Sequence, residues 1–74
     1  MNKARRNRLQ EAFDLVAKAQ EILAEVREEE RESIENLPDN FRYGERGEEM
    51  EAYIEMIDEA DGYLDDAMSV IEQI

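Results

Sequence analysis

The pattern of apolar and polar positions divides the chain into two long segments with the same spacing. Apolar side chains recur every three or four positions from Leu9 to Val26, and again from Met50 to Ile74. This spacing puts apolar side chains on one side of an α-helix. It predicts one amphipathic helix over about residues 3–36 and a second over about residues 48–73. No Gly or Pro interrupts the first segment, and Pro38 ends it.

The two segments match each other position by position. Moving each apolar position of the first segment forward by 41 residues lands on an apolar position of the second, as Leu9 does on Met50 and Val16 on Ile57. Such a pseudo-repeat gives two helices equivalent apolar faces, whether or not a duplication produced it.

The apolar face is wider than a single partner helix covers. In heptad notation, with Leu9 and Met50 at position a, positions a, d, e and g are all largely apolar. Folding the two helices together buries part of each face and leaves the rest exposed. We therefore predict an all-α fold: one domain over residues 1–74, an antiparallel two-helix hairpin that dimerises into a four-helix bundle. The expected oligomer core is Leu9, Phe13, Val16, Leu23, Ile57, Leu64 and Ile71.

One end of this core is expected to be polar. Glu30 and Ser33 occupy the a and d positions after Val26. In an antiparallel hairpin they should lie near Tyr53, whose hydroxyl is a suitable partner for them. The sequence therefore predicts a polar or hollow end, or simple fraying towards the connecting segment.

The connecting segment, residues 37–47, holds an unusual mixture of residues. Gly44 and Gly47 suit either a positive φ or a close approach of two backbones. Phe41 and Tyr43 are expected to cap the end of the core. In an alternative reading, loop cations and aromatic rings bind a phosphate-bearing ligand at the start of the second helix. The residues of this alternative are Arg42, Tyr43, Arg46, Phe41 and, from the basic N-terminus, Arg8.

Composition removes several classes of chemistry. With no Cys and no His among 74 residues, the chain has no disulfide, no Cys/His zinc site and no histidine general base. The paired acids lack the Glu-x-x-His element of di-iron bundles, and residues 58–66 lack the ligand spacing of an EF-hand. We predict no enzyme, no metal and no cofactor. No segment has the length of a membrane span, and a cytoplasmic protein is expected.

Charge points to a basic partner. The net charge is −12, and four of the nine basic residues fall within the first eight positions. From Gly47 onward there is no Lys or Arg at all. Such a field disfavours direct binding to nucleic acids or anionic membranes and favours basic proteins, although solubility alone also accounts for acidic surfaces. The candidate partner-binding residues are Glu55, Asp58, Glu59, Asp65 and Asp66.

The most distinctive parts of the chain are Asn36-Leu37-Pro38 and Glu45-Arg46-Gly47-Glu48, followed by Met50-Glu51. Together with the helical segments around them, they resemble a group of short acidic helical proteins from phages, prophages and other mobile elements of Gram-positive bacteria, over nearly the whole chain. No activity is established for that group, so the resemblance implies a setting inside a bacterial host more than a mechanism. Small phage proteins of this size often antagonise host defences.

Three functions fit these observations. The first is a counter-defence protein that binds and inhibits a basic host immune protein, with its carboxylates mimicking nucleic-acid phosphates. The second is an oligomeric sponge that sequesters a nucleotide-derived immune signal through the loop arginines and aromatics. The third is a small structural or assembly partner that uses its exposed helix face.

Overall fold

The computed structural model describes all 74 residues and contains three helices and no strand. They are α1 (Lys3–Glu35), α2 (Asp39–Arg42) and α3 (Glu45–Glu72). The predicted all-α class is confirmed, while the short α2 lies inside the segment expected to be a loop. The molecule is a rod of 59 × 15 × 10 Å. No helix combines the length and the apolar character needed to cross a membrane.

Local sequence explains where the helices begin and end. The side chain of Asn2 accepts a 2.8 Å hydrogen bond from the backbone N–H of Arg5, which caps the start of α1. Pro38 has no N–H to continue α1, and its carbonyl accepts from Phe41 and Arg42 to start α2. Gly44 is the N-cap of α3 and accepts from Glu48.

The two long helices lie side by side and run in opposite directions. Arg6 near the start of α1 donates to the carbonyl of Ile74, Gln20 reaches Asp65, and Arg31 near the end of α1 reaches Glu51. The residues of α3 that face α1 recur at alternating intervals of three and four. They are Met50, Ile54, Ile57, Asp61, Leu64, Met68 and Ile71. These are heptad positions a and e, so the contact between the helices, here called the a/e seam, uses half of the apolar face.

The predicted core residues all lie in this seam. Each lies on the side of its helix that faces the opposite helix, is half-buried there and keeps part of its surface exposed. These are the seven positions Leu9, Phe13, Val16, Leu23, Ile57, Leu64 and Ile71.

The best-buried part of the seam is the end near α2. Ile34, Met50 and Ile54 are the buried apolar residues of the chain, and Leu37 packs against them. The expectation of a polar end is therefore wrong, because position e supplies Ile34 where position d would supply Ser33. The Ser33 hydroxyl donates to the carbonyl of Glu29 within its own helix.

The tyrosine and aromatic contacts expected at this end also differ. The Tyr53 hydroxyl donates to Glu49, one turn back on α3, over 2.7 Å and not to α1. Phe41 and Tyr43 are exposed, so neither caps the core. Leu37 fills that role, because the chain turns directly after it and leaves the aromatic rings of the connection outside.

Gly47 is required by a close approach and not by its backbone angles. No residue of the chain has a positive φ. A Cβ built on Gly47 would lie 1.8 Å from the carbonyl oxygen of Arg42, which is too close for any side chain. The absence of a side chain at Gly47 is therefore what lets α2 pack against the first turn of α3.

Candidate functional site: one acidic and one apolar face

The carboxylates of α3 form an exposed acidic face. Residues at heptad positions b, c and f turn away from the seam, and nine of the twelve such positions on α3 are acidic. The acidic face consists of Glu48, Glu51, Glu55, Asp58, Glu59, Asp65, Asp66 and Glu72. All five predicted partner-binding residues belong to it.

Some of these carboxylates already have partners within the chain. Asp58 accepts a 2.7 Å charge-assisted hydrogen bond from Arg27, and this bond raises the pKa of Arg27 above its ordinary value. Asp65 accepts from Gln20 over 2.6 Å, and Glu59 accepts from the Tyr63 hydroxyl over 3.0 Å. These contacts fix the positions of the carboxylates, and each oxygen retains free acceptor capacity.

Most of the acidic charge is not neutralised by ion pairs. The chain has 21 acidic residues, and only four of them lie in ion pairs, with Lys18, Arg27 or Arg31. A net charge of −12 along a 59 Å rod amounts to about 5 Å per charge. A single nucleic-acid strand carries one charge per about 3.4 Å. The linear charge density is thus of the same order as that of a polynucleotide.

Two residues of the alternative reading, Arg42 and Tyr43, line a shallow groove near α2. The guanidinium of Arg42 lies over the Tyr43 ring, 5.4 Å from its centroid. The same groove is lined by Gly47 and by three carboxylates, those of Glu48, Glu51 and Glu55. These carboxylates repel phosphates, so the groove is poorly suited to an anionic ligand.

The remaining cations of that reading are not gathered in this groove. Arg46 is exposed on the first turn of α3 and makes no ion pair. Arg8 lies beside Met1, Arg5 and Leu9 at the opposite end of the rod. Within one chain, the structure therefore brings Arg42 and Tyr43 together and leaves Arg8 distant from them.

The second candidate surface is an apolar face; the sequence predicted that part of the wide apolar stripe stays exposed, but not which positions. Positions d and g form a separate row on each helix, and its large side chains are exposed, with Leu15 and Tyr63 each at 65%. The apolar face consists of Ala12, Leu15, Ala19, Ile22 and Val26 on α1, and of Tyr53, Met56, Ala60, Tyr63, Ala67, Val70 and Ile74 on α3. Separating the a/e rows from the d/g rows in the sequence would have revealed it.

The apolar rows of the two helices lie on the same side of the rod. At about 100° per residue, the d/g row is displaced by roughly 110° from the a/e row on each helix. Because the two helices run in opposite directions, the same displacement places the d/g rows of both helices on the same side of the rod. The b and f positions are displaced in the opposite sense and lie on the other side. One broad side of the protein is therefore apolar, and the other is acidic.

No group of three or more carboxylates is arranged to hold a metal ion. The pKa of Tyr53 is raised by its hydrogen bond to Glu49, which favours the neutral phenol.

The chain matches no protein-family model, and no curated protein or solved structure is significantly similar to it.

Proposed function

We propose that this protein is a non-enzymatic inhibitor that binds the basic, nucleic-acid-binding surface of a bacterial host immune protein in the cytoplasm. Its acidic face takes the place of nucleic-acid phosphates. The single observation that carries the proposal is the acidic face of α3: exposed carboxylates along the whole length of a helix that has no cation beyond Arg46.

The arrangement of these carboxylates favours binding over solubility alone. Glu48, Glu51, Glu55 and Asp58 follow one another at intervals of three or four residues, which is about 5 Å along the helix axis. Hydrogen bonds from Gln20 and Tyr63 hold two further carboxylates in place. An ordered row loses less side-chain entropy on binding than a set of mobile charges does.

The host immune target is proposed from the resemblance to short proteins of phages and mobile elements. Basic grooves that hold DNA or RNA are common in proteins that handle nucleic acids, and a rigid polyanion competes for them. Electrostatic attraction also accelerates the encounter of such partners at low salt.

We further propose that the active unit is a homodimer, in which two antiparallel hairpins form a four-helix bundle. A chain of 74 residues with three buried apolar side chains has too small a core for stability by itself. Dimerisation covers the exposed apolar face and leaves the acidic face open to a partner.

The sponge reading ranks second. The stacking of Arg42 on Tyr43 favours it, since an arginine and an aromatic ring together recognise nucleotides. Glu48, Glu51 and Glu55 around the same groove oppose it. Arg42→Ala combined with Arg46→Ala separates the two readings, because it abolishes nucleotide retention by a sponge and leaves phosphate mimicry intact.

The test compares two quadruple variants that remove the same charge. The test variant combines Glu55→Gln, Asp58→Asn, Glu59→Gln and Asp65→Asn on α3. The matched control combines Glu11→Gln, Asp14→Asn, Glu21→Gln and Glu25→Gln on α1, whose only side-chain partners are Gln10 and Lys18 of the same helix. Each variant is immobilised and used to capture protein from a lysate of a defence-bearing host, and double-stranded DNA is then added as competitor.

We expect the wild type and the control to capture a basic protein that the DNA displaces. The test variant should fail to capture it while keeping its helix content by circular dichroism. Equal capture by both quadruple variants, or capture that DNA does not compete with, would contradict phosphate mimicry.

A further inference from the structure

We propose that the apolar face binds a second copy of this chain in an antiparallel orientation, with a two-fold axis that crosses the rod at the level of Ala19 and Tyr63. This deepens the homodimer of the proposed function, on which it rests, by specifying the contact surface and the orientation. In this arrangement α1 lies against α1 of the second copy, and α3 lies against its α3.

The position of the axis follows from the extent of the apolar rows. On α1 the row runs from Ala12 to Val26 and its midpoint is Ala19. On α3 it runs from Tyr53 to Ile74 and its midpoint lies next to Tyr63. These two midpoints lie at the same level of the rod, because Gln20 donates to the Asp61 carbonyl and to the Asp65 carboxylate, on either side of Tyr63. A single two-fold axis perpendicular to the rod therefore places each apolar row against the same row of the second copy.

The rows are self-complementary about this axis. On α1, a half-turn brings Leu15 against Ile22 of the second copy and Ala12 against Val26. On α3, it brings Ala60 against Ala67 and Met56 against Val70. The thinner end of the face, at Ala12 and Val70, thus meets the thicker end, at Val26 and Met56. A parallel dimer would instead place two thin ends together and two thick ends together, which packs the core unevenly.

The charges of α1 favour the same orientation. Residues 3–8 carry Lys3, Arg5, Arg6 and Arg8 and no acid, whereas residues 28–35 carry five Glu and one Arg. About an axis at Ala19, the basic segment of one α1 lies level with residues 30–35 of the other. Four positive charges thus lie level with two excess negative charges at each end, and Glu28 and Glu29 follow directly after them along the helix. A parallel dimer would place like charges together at both ends of the bundle.

These charges oppose the dipole of their own helix. The first turn of α1 has no acidic residue and its last turn has no basic residue, the reverse of what a helix dipole favours. In an isolated helix this arrangement destabilises each end. An antiparallel neighbour offsets this destabilisation, because each charged end then faces its opposite.

The available area reaches what a specific interface needs. The apolar row of α3 spans 53–74, about 32 Å at 1.5 Å per residue, the row of α1 spans 12–26, about 21 Å, and each helix is about 10 Å wide. The projected area is then roughly 500 Å² per copy, or about 1,000 Å² in total, which is the lower bound for a specific interface. Side-by-side packing also doubles the net charge along nearly the same length. The spacing falls to about 2.5 Å per charge, closer to the 1.7 Å of duplex DNA.

Sedimentation equilibrium and paired spin labels test the proposal on the whole protein. The chain has no cysteine, so Asn7→Cys and Lys18→Cys each give one labelling position per chain. In the antiparallel dimer the two Asn7 labels are separated by about 36 Å along the axis, whereas the two Lys18 labels are at nearly the same level. Pulsed electron paramagnetic resonance should therefore give a clearly longer distance for Asn7 than for Lys18. Equal distances in a dimer would overturn the orientation, and a single-chain mass at every concentration would overturn the dimer.

Two glutamate substitutions test the surface. Leu15→Glu puts a charge on the apolar face at a side chain that is exposed in one chain, and should weaken dimerisation by about 100-fold or more. Ala24→Glu puts the same charge on the opposite side of α1 and should change it by less than about threefold. Equal effects would show that the contact surface lies elsewhere. If Leu15→Glu does not fold, the molecular mass of the wild type and the label distances of the two cysteine variants still decide whether the dimer forms and how it is oriented. None of these measurements involves the host partner. A monomer whose acidic face still binds that partner would therefore refute the homodimer and leave inhibition by phosphate mimicry standing.

Discussion

The same substitution at two glycines of α3 should change stability in opposite directions. In Gly47→Ala, the new Cβ would lie 1.8 Å from the Arg42 carbonyl oxygen and 2.6 Å from its carbon. Ordinary contact is about 3.5 Å, so the backbone of α2 has to move by roughly 1.7 Å. In Gly62→Ala, nothing lies within 4 Å of the new Cβ.

The magnitudes follow from these distances. Overpacking by one methyl group typically costs about 1–3 kcal/mol, and a clash with backbone belongs at the upper end. Alanine returns about 1 kcal/mol of helix propensity at both positions. We therefore expect Gly47→Ala to lower the free energy of unfolding by about 2 kcal/mol and Gly62→Ala to raise it by about 1 kcal/mol.

Thermal unfolding followed by circular dichroism measures this difference. For a chain of this size, 1 kcal/mol shifts the midpoint by about 4–8 °C, so the two variants should differ by at least about 12 °C. All proteins are compared at one chain concentration, because assembly makes the midpoint concentration-dependent. Equal midpoints for the two variants would refute the close packing of α2 on Gly47.

Three further predictions follow from the core, the charge and the tyrosine contacts. Ile54→Ala should lower the free energy of unfolding, measured by urea denaturation, by about 2–5 kcal/mol. Glu55→Ala, at the exposed neighbouring position, should change it by less than about 0.5 kcal/mol. Similar losses for the two variants would show that the core lies elsewhere. Raising the salt concentration should strengthen self-association, because salt screens the repulsion between two chains that each carry a net charge of −12. The same screening should weaken binding to a basic partner. If sedimentation and partner-binding titrations show that salt changes both affinities in the same direction, this prediction is wrong. Glu49→Gln should lower the pKa of Tyr53 towards its ordinary value, because a neutral amide replaces the carboxylate whose hydrogen bond and charge raise it. An unchanged phenolate absorbance titration would show that this contact is absent in solution.

The apolar spacing was sufficient to predict two long helices, because both are long and strongly periodic and Pro38 marks the end of the first. It was not sufficient to choose between positions d and e as partners of a in the contact between helices. Both rows are apolar in this chain, and only packing selects one. That ambiguity explains why Ser33 was expected near the core where Ile34 lies, and why the end near α2 was expected to be polar.

The structure of the connecting segment could be predicted only in part from its residues. Its glycines indicated either a positive φ or a close approach, and the choice of close approach at Gly47 depends on the four-residue α2, which is too short to produce a periodic signal. The acidic residues of the candidate site could be named from composition and spacing alone. Their contacts with Arg27, Gln20 and Tyr63 could not, because two of these three partners lie on the other long helix.

Native mass spectrometry of the wild type tests the central claim most directly: a dimer with an apolar face covered by its own copy and an acidic face free for a protein partner. The protein is measured alone and after incubation with cyclic dinucleotides and ADP-ribose-derived signals. The account predicts an assembly of two 8.7 kDa chains that retains none of these molecules. A single chain at all concentrations, or an assembly that retains a nucleotide at each site, would contradict it.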